Sequence, residues 1–343
     1  MTAGQGASAG ADVAYGIDIG GTKVLGVALD ASDRIVTEAR VSTPAGPFGP
    51  DDGEGRAGGE VAKAVADVVG QLDTALGVAP SATGAPAIGV GAPGMLDRQG
   101  RLRFAPNLPQ AHGVDWNGLI GEQVVGRTII IENDANFAAL AEHRLGAAKG
   151  FDHVLMVTLG TGIGGGIIVD GRVQVGAHGF AGEIGHMVVD PAGPPCPCGR
   201  RGCWERYASG GGLGLLTREA ALAGKLPGVV AAAGGDPENV HGEDVTAAAE
   251  SGDADARRVV EQVGWWVGFG LANLACVLDP ECVVIGGGLV GAGEILLDAA
   301  RGAYAELVEG GSTRPAVTIV AASFGEKAGA VGAALAARHG GLW

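Results

Sequence analysis

The chain has 343 residues, a length that predicts two domains at about 150 residues each. Its formal charge of −15 argues against binding to nucleic acid and against anchoring on anionic lipid. Hydrophobic residues make up 47%, enough for a sizeable core, so a wholly disordered chain is excluded. Glycine is in excess at 65 residues, and much of it follows apolar, β-branched runs, which predicts loops built at strand ends.

Residues 1–12 have neither the basic nor the apolar segment of a secretion signal, and we expect a disordered tail there. The longest uncharged stretches, over 154–169 and 263–278, are each 16 residues long. They are shorter than the ~18 apolar residues of a membrane-spanning helix. The expectation is therefore a cytoplasmic protein without a membrane segment.

The first predicted elements are strands over 13–19, 24–29 and 34–41, and the glycine-rich joint Gly20-Gly21-Thr22-Lys23 separates the first two. A similar pattern begins about 140 residues later. It consists of an apolar run over 154–159, a glycine-rich loop over 160–166, an apolar run over 167–169, the turn Asp170-Gly171 and an apolar run over 173–175. A unit of strand, glycine loop, strand, turn and strand therefore occurs twice, which predicts two related domains that face each other.

The other segments alternate between helix and strand. Between the two units the sequence predicts a helix over 61–76, strands over 87–90 and 128–131, and a helix over 135–145. After the second unit it predicts helices near 213–223 and 254–277, then a strand over 282–285, a helix over 294–308, a strand over 317–321 and a helix over 327–338. Such alternation indicates α/β layers with a partly parallel sheet. The loop over 44–60 has no assigned role.

The glycine loops suggest nucleotide binding. No G-x-x-x-x-G-K-[ST] P-loop is present. Gly160, Gly162 and Gly165 satisfy G-x-G-x-x-G, but a strand follows where the dinucleotide fingerprint needs a helix, so that interpretation fails. A glycine-rich turn between two strands can still bind phosphate through converging N–H groups. The alternative is that both loops are tight hairpins, and the duplication favours phosphate binding.

Three further features fit a nucleotide site. Asp18 ends the first strand, where a carboxylate associated with Mg²⁺ is useful, while Thr22 and Lys23 supply a hydroxyl and a cation. The alternative for Asp18 is a solvated charge. The run Gly286-Gly287-Gly288 would allow a flat ring close to the backbone, although glycine also commonly separates a strand from a helix.

Three of the five cysteines cluster in one short loop, at Cys196, Cys198 and Cys203. With His186 they complete a Cys₃His set, which is a tetrahedral zinc complement without an open position and therefore indicates a structural metal. The alternative is three reduced thiols in a surface loop. Cys276 and Cys282 are predicted to be buried small hydrophobic residues.

Three segments together resemble the ROK family of sugar kinases and repressors, over nearly the whole chain from about Val13. They are Asp18-Ile19-Gly20-Gly21-Thr22-Lys23, Gly182-Glu183-Ile184-Gly185-His186 and the run over 196–205. The resemblance implies an α/β, actin-like ATPase fold of the ribonuclease H type, with the sugar and the nucleotide in a cleft between two related domains. The first domain is expected over 13–133, joined by a C-terminal helix over 327–343, and the second over 134–326 with the zinc loop.

The resemblance also implies roles for individual residues. Asp134, in Glu132-Asn133-Asp134, is similar to the catalytic base, and the alternative for it is the N-cap of the following helix. The implied sugar contacts are Asn107, Asn133, Asp134, Glu183, His186 and Glu205. The expected nucleotide contacts are Asp18, Gly20, Gly21, Thr22, Lys23, Thr158, Gly160, Thr161, Gly162, Gly164, Gly286, Gly287 and Gly288. The implied zinc ligands are His186, Cys196, Cys198 and Cys203.

The implied activity is that of a glucokinase, which transfers the γ-phosphate of ATP, with Mg²⁺, to the 6-hydroxyl of D-glucose. Glucose 6-phosphate and ADP are the products, and a homo-oligomer, dimer or tetramer, is expected. A kinase for another hexose or an N-acetylhexosamine is the alternative, since shape sets the pocket at the 2-position. A sugar-responsive repressor is disfavoured because little chain precedes the first strand and the net charge is negative. Polyphosphate is disfavoured as the phosphate donor, because a long polyanion would favour a basic channel and this chain is acidic.

Overall fold

The computed structural model describes residues 13–44, 56–79, 84–105 and 113–342. The predicted tail over 1–12, most of the loop over 44–60 and Asn107 lie outside these ranges. The strands are β1 (Ala14–Ile19), β2 (Lys23–Leu29), β3 (Ile35–Ser42), β4 (Ile88–Ala92), β5 (Met95–Leu96), β6 (Leu102–Phe104), β7 (Ile129–Asn133), β8 (Val154–Leu159), β9 (Ile163–Val169), β10 (Arg172–Val173), β11 (Cys282–Gly286) and β12 (Thr318–Ala321). The α-helices are α1 (Arg56–Leu76), α2 (Trp116–Gln123), α3 (Asp134–Arg144), α4 (Glu205–Ala208), α5 (Gly210–Leu222), α6 (Pro227–Ala232), α7 (Gly242–Glu250), α8 (Ala254–Leu278), α9 (Gly293–Leu307) and α10 (Ala328–His339).

The chain divides into two compact units. The first comprises Met1–Leu145, Arg172–Ala181 and Lys327–Trp343, and the second comprises Gly146–Gly171 and Gly182–Glu326. The sequence predicts a division after Asn133, whereas the first unit here includes α3. Helix α3 lies in this unit because it packs closely against α10.

The first unit is built on a five-stranded sheet of order β3-β2-β1-β4-β7. Strand β1 runs antiparallel to β2 and parallel to β4, which is in turn parallel to β7. Helices α1 and α10 pack on this sheet, and the apolar core lies between α1 and the sheet. The parallel strands β1, β4 and β7 bring their carboxyl ends to one edge, where ligands bind in open α/β sheets.

Helix α10 lies directly against main chain, and glycine makes this possible. A Cβ placed on Gly16 or Gly89, in β1 and β4, would overlap the carbonyl oxygens of Ala330 and Ala333 respectively. On the helix itself, a Cβ on Gly332 would overlap the carbonyl of Phe137 in α3. The Ala- and Gly-rich sequence of α10 therefore serves close packing on two sides, and its position also fixes α3.

The second unit repeats the strand order of the first. Strand β8 runs antiparallel to β9 and parallel to β11, and β11 is parallel to β12, as β1 pairs with β2 and β4. The duplicated unit predicted from the sequence is confirmed by this matching topology. One detail of the prediction is wrong: only 160–162 form the turn, because Gly164, Gly165 and Gly166 belong to β9 and pair with β8.

The two cysteines outside the cysteine loop differ in burial. Cys282 is buried in β11, as predicted, but Cys276 is exposed on α8, because the apolar helix turns that position away from α9 and the core. Among the described residues, no helix is both long and apolar enough to cross a membrane.

The close approach of α10 yields a test with an internal control. Replacing Gly89 with Ala forces α10 away from the sheet, so we expect the free energy of unfolding to fall by about 3 kcal/mol or more. Gly70 lies in the exposed middle of α1 with nothing within 4 Å of an added Cβ, so Gly70→Ala should raise it by about 0.5–1 kcal/mol. Urea unfolding measures both, and similar small changes at the two positions would contradict the packing argument.

Candidate functional site

In the first unit, three strand ends bring together Asp18, predicted to contact the nucleotide, and Asp134, predicted to be the catalytic base. Asp18 in β1 is paired with Gly91 in β4, and Gly91 is paired with Glu132 in β7. Asp134 follows two residues later and begins α3. A Cβ placed on Gly91 would lie 3.4 Å both from Asp18 Oδ1 and from Asp134 Cα, so the two carboxyl-bearing residues flank this glycine.

The two carboxyl groups share an environment that disfavours charge. Burial raises the pKa of Asp18, the negative charge of Asp134 raises it further, and Lys23 partly offsets these effects. Burial also raises the pKa of Asp134, to about 6, against the lowering effect of the hydrogen bond from the Ala135 N–H. Because the two carboxyls interact, the ionisation of one disfavours the ionisation of the other.

Asp18 fits the Mg²⁺ expected from the sequence. Its Oδ1 is buried and accepts no hydrogen bond from the described part of the chain. An unpaired buried carboxylate oxygen is costly unless water or a cation completes its shell, and Mg²⁺ prefers oxygen ligands and retained waters. The residue is therefore suited to a hydrated cation, while Lys23 supplies the positive charge nearest to it.

Asn133, rather than Asp134, is the N-cap of α3. The Asn133 Oδ1 accepts hydrogen bonds from the backbone N–H groups of Ala135 (2.9 Å) and Asn136 (3.2 Å). Its Nδ2 donates to the Gly94 carbonyl at 3.2 Å. The cap thus leaves Asp134 free of the structural role that the sequence offers as its alternative, although Asp134 Oδ1 accepts from the Ala135 N–H at 2.8 Å.

Glu132 is a residue of this group that the sequence reasoning does not assign. Its Oε1 accepts hydrogen bonds from the Asn133 backbone N–H at 2.8 Å and from the Asn136 side-chain amide at 3.2 Å. These hydrogen bonds stabilise the start of α3. The only signal in the sequence is its place directly before Asn133 and Asp134.

The glycine loop of the first unit is a closed turn. The Gly20 N–H donates to the Lys23 carbonyl at 2.9 Å, and the Thr43 hydroxyl donates to the Gly20 carbonyl at 2.7 Å. The Thr43 N–H also donates to the Thr22 carbonyl. A Cβ on Gly21 would meet nothing within 4 Å, so the tip of the loop has open space beside it.

In the second unit the remaining predicted nucleotide residues lie on three adjacent strands or directly after them. Thr158 in β8 is paired with Gly164 in β9 and with Gly286 in β11. Gly287 has a φ of +87°, and a Cβ there would lie 2.5 Å from the Leu159 carbonyl oxygen. The structural requirement for glycine at 287 is therefore clear, while Gly288 borders open space.

The four predicted zinc ligands come together in the second unit. One ligand atom from each of His186, Cys196, Cys198 and Cys203 lies within 4.8 Å of all the others. The Cys198 and Cys203 sulfurs are 3.6 Å apart, and Cys196 Sγ is 3.7 Å from His186 Nδ1. Tetrahedral zinc, with Zn–S of about 2.3 Å, requires separations of about 3.5–3.8 Å. The donor set and these two separations therefore fit a structural zinc ion.

Two carboxylates flank the imidazole of His186. Glu205 Oε1 lies 3.6 Å from His186 Nδ1 and 3.0 Å from Cys196 Sγ, and Glu183 Oε2 lies 3.9 Å from His186 Nε2. Burial and the Glu205 contact raise the pKa of the Cys196 thiol. Glu183, His186 and Glu205, all predicted to bind sugar, therefore converge in this unit, whereas Asn133 and Asp134 belong to the first unit. Asn107 lies outside the described residues.

The buried carboxyl of Asp18 predicts an unusual dependence of stability on pH. Its pKa is raised from 3.8 to about 8, so ionisation destabilises the ligand-free fold increasingly between these pH values. Asp18→Asn should therefore melt at higher temperature than the unaltered protein, with a difference that is absent below pH 4 and reaches roughly 3 °C or more at pH 8.

Asp30 provides the matched control, because hydrogen bonds from Arg34 lower its pKa. Its ionised form contributes stability above the unfolded pKa, so Asp30→Asn should lower the melting temperature at neutral pH. Scanning calorimetry in ligand-free, Mg²⁺-free buffer measures both variants. An Asp18→Asn difference that is constant from pH 4 to pH 8 would contradict the assignment.

Comparison with known proteins identifies the family to which the chain belongs. The ROK family model matches residues 14–339. A glucokinase of Streptomyces coelicolor is 37% identical over 331 residues, covering 94% of this chain and 97% of the relative. A crystal structure of a ROK family glucokinase from Streptomyces griseus with glucose and AMPPNP is 35% identical, has a TM-score of 0.81 and covers 95% of this chain and 99% of that one.

A ROK hexokinase of Thermus thermophilus is similar to a comparable extent, with 37% identity, a TM-score of 0.71 and coverage of 96% and 98% of the two chains. The actin-like ATPase fold implied by the resemblance is therefore confirmed, with α/β units that share one strand order. Both the family model and these relatives span nearly all of the sequence. The chain belongs to the ROK family.

Proposed function

We propose that this chain is an ATP-dependent hexose kinase, and specifically a glucokinase that phosphorylates the 6-hydroxyl of D-glucose. The observation that carries the proposal is Asp134, a half-buried carboxyl at the start of α3 whose pKa is raised to about 6. Similarity to glucokinases over more than 90% of the chain supports the choice of reaction and of sugar. The products would be glucose 6-phosphate and ADP.

Asp134 acts as the general base in this mechanism. Its carboxylate accepts the proton of the 6-hydroxyl while that oxygen bonds to the γ-phosphorus and the bond to the β-phosphate oxygen breaks, releasing ADP. A pKa near 6 makes the carboxylate a stronger base than an ordinary aspartate, yet leaves it ionised at neutral pH. Bound Mg²⁺, held near Asp18, would neutralise charge on the phosphates.

The other predicted contacts divide between sugar and nucleotide. Glu183, His186 and Glu205 would exchange hydrogen bonds with sugar hydroxyls, which need fixed partners in place of water. Asn133 would contribute from the start of α3, and Asn107 is retained as a proposed contact. The loops at 20–23 and 160–162, with Thr158, Gly164 and Gly286–Gly288, would hold ATP.

Zinc is proposed as a structural ion on His186, Cys196, Cys198 and Cys203. Binding at Nδ1, which faces the thiols, would fix the imidazole and leave Nε2 for the sugar. The homo-oligomer and the cytoplasmic location both stay predictions; light scattering on the purified protein tests the first.

The role of Asp134 is tested by Asp134→Asn, which keeps the shape of the side chain but removes the base. We expect kcat to fall by roughly 10²–10⁴-fold with glucose binding retained. In the unaltered enzyme, kcat/KM should decline as pH falls through about 6, because the base becomes protonated. Asp253→Asn, which replaces the N-cap of α8 by an equally good cap, is the control. Near-normal turnover by folded Asp134→Asn would exclude Asp134 as the base.

Sugar specificity is settled by a coupled ADP-release assay with glucose, mannose, fructose, N-acetylglucosamine and N-acetylmannosamine. We expect the highest kcat/KM for glucose. A higher value for either N-acetylated sugar would replace glucokinase by the alternative hexosamine kinase, while leaving the ATP-dependent mechanism intact.

The zinc proposal predicts a joint loss of metal and stability. Cys198→Ala should bind less than one zinc per chain and melt at lower temperature, because structural zinc is coupled to folding. Cys276→Ala removes an exposed thiol distant in sequence from the cluster, and it should retain zinc and stability. Elemental analysis of chelator-free preparations measures the metal, and a metal-free but fully stable unaltered protein would refute the proposal.

A further inference from the structure

Ser209 occupies the junction between α4 and α5 in the second unit and is 1% exposed. Its Oγ lies 3.0 Å from the Thr161 carbonyl oxygen and 2.6 Å from the Glu205 carbonyl oxygen, and can donate to either. The same oxygen accepts a hydrogen bond from the Gly212 N–H at 3.1 Å and so caps α5. One buried hydroxyl therefore joins the glycine loop over 160–162 to two helices.

The first turn of α5 makes the same connection through its backbone. The Gly210 N–H donates to the Gly160 carbonyl at 2.8 Å, and the Gly211 N–H donates to the Thr161 carbonyl at 3.2 Å. Such N–H groups at a helix start are free to bind an anion in many proteins, but here they hold the loop. A Cβ on Gly210 would lie 2.9 Å from the Gly160 carbonyl oxygen, so the fit leaves no room for a side chain.

The carbonyl groups of the loop over 160–162 accept hydrogen bonds, whereas N–H groups of the same loop are available to a ligand. Within the described residues, the amide N–H groups of Thr161 and Gly162 have no protein acceptor. Both residues lie at the accessible tip of the β8–β9 turn, which is the expected nucleotide phosphate loop. Because the carbonyl groups are held on the side of α5, the N–H groups point to the opposite side of the loop. Backbone anion sites have the same arrangement.

The far side of the loop is tied to the same short helix. The Ile163 N–H donates to Glu205 Oε2 at 3.4 Å, while Glu205 Oε1 contacts Cys196. Helix α4 thus holds the loop at two points, through the side chain of Glu205 and through Ser209. The cysteine loop lies immediately before this helix, since Cys203 precedes Glu205 by two residues.

We propose that Ser209 is a positioning residue for nucleotide binding, which holds the loop over 160–162 so that its N–H groups can receive a phosphate of ATP. The inference rests on the proposed kinase function but goes beyond it, because Ser209 is buried and is not among the proposed substrate contacts. Without the hydroxyl, the Thr161 carbonyl and the Gly212 N–H lose a buried partner, so the loop is expected to loosen.

The test compares two variants with a matched control. Ser209→Ala removes the hydroxyl, and Ser209→Gly removes it while keeping a residue that tolerates the N-cap position. Ser251→Ala removes an exposed hydroxyl that donates to Ala247 at the end of α7 and should change nothing. Calorimetry measures the Kd of Mg·AMPPNP and of glucose, elemental analysis measures zinc, and hydrogen exchange follows the amides of 160–163.

Both Ser209 variants should bind Mg·AMPPNP about 10-fold more weakly and exchange the amides of 160–163 faster. The Kd of glucose and the zinc content should stay within about twofold of the unaltered protein, because Glu205 and the cysteines are unchanged. Unchanged nucleotide affinity in a folded variant overturns the proposal, and so does a parallel loss of zinc, glucose and nucleotide binding. Failure of the unaltered protein to bind Mg·AMPPNP would instead defeat the proposed function, while exchange at 160–163 would still report whether Ser209 holds the loop.

Discussion

Direct contact between main chains, with no side chain between them, is the constraint on which both units depend. Gly89 lets the Ala333 carbonyl lie against β4, and Gly332 lets α10 lie against Phe137 of α3. Because α3 begins at Asp134, the depth to which α10 packs determines where the proposed base sits. In the second unit Gly287 approaches Leu159 in the same manner, which joins the end of β11 to the start of the glycine loop. Gly89, Gly332 and Gly287 thus stand where the close approach of main chain leaves no room for a Cβ.

The two buried carboxyl groups of the first unit lower the stability of the fold. Asp18 and Asp134 are both withdrawn from water, and Asp18 Oδ1 lacks a partner within the described residues, an arrangement that costs folding energy. Neutral side chains would remove this cost, but they would also remove the proposed base and the proposed cation ligand. Such a local conflict between stability and charge is typical of functional sites, and here a bound cation would relieve it.

Much of the fold could be predicted from local sequence patterns. The alternation of apolar residues located the strands of both sheets to within a few residues, and the tight turn after β1 and β8 revealed the duplication. The Cys₃His cluster was predictable because its ligands lie close together in the sequence. Gly164–Gly166 were misread as loop, because glycine has low strand propensity and only pairing with β8 shows their state. Helix α2 and the β5–β6 hairpin, whose apolar patterns are short, were not predicted.

Residues that hold functional residues in place by hydrogen bonds could not be predicted from local sequence patterns. Ser209 and Glu132 follow no recognisable spacing, and their importance depends on which carbonyl or N–H lies across a turn. Asn133 is the cap of α3 because its backbone is extended where β7 ends. The cap therefore lies one residue before Asp134, the position that the sequence suggests. Cys276 was predicted buried because its neighbours are apolar, but the burial of a helical residue depends on what packs against that face.

In the cysteine loop, the proposed zinc ion would take the place of an apolar core over a short stretch of chain. Between His186 and Cys203 the chain is held by backbone bonds such as Val189 N–H to the Gly202 carbonyl, and Trp204, directly after Cys203, is a large buried side chain. Trp204 donates from Nε1 to the Trp266 carbonyl of α8, so the loop is anchored to the core at its end. Helix α4 starts at the next residue and carries Glu205. A zinc ion that orders the loop would therefore also fix the direction in which α4 leaves it, and with it the carboxylate that reaches both His186 and the glycine loop.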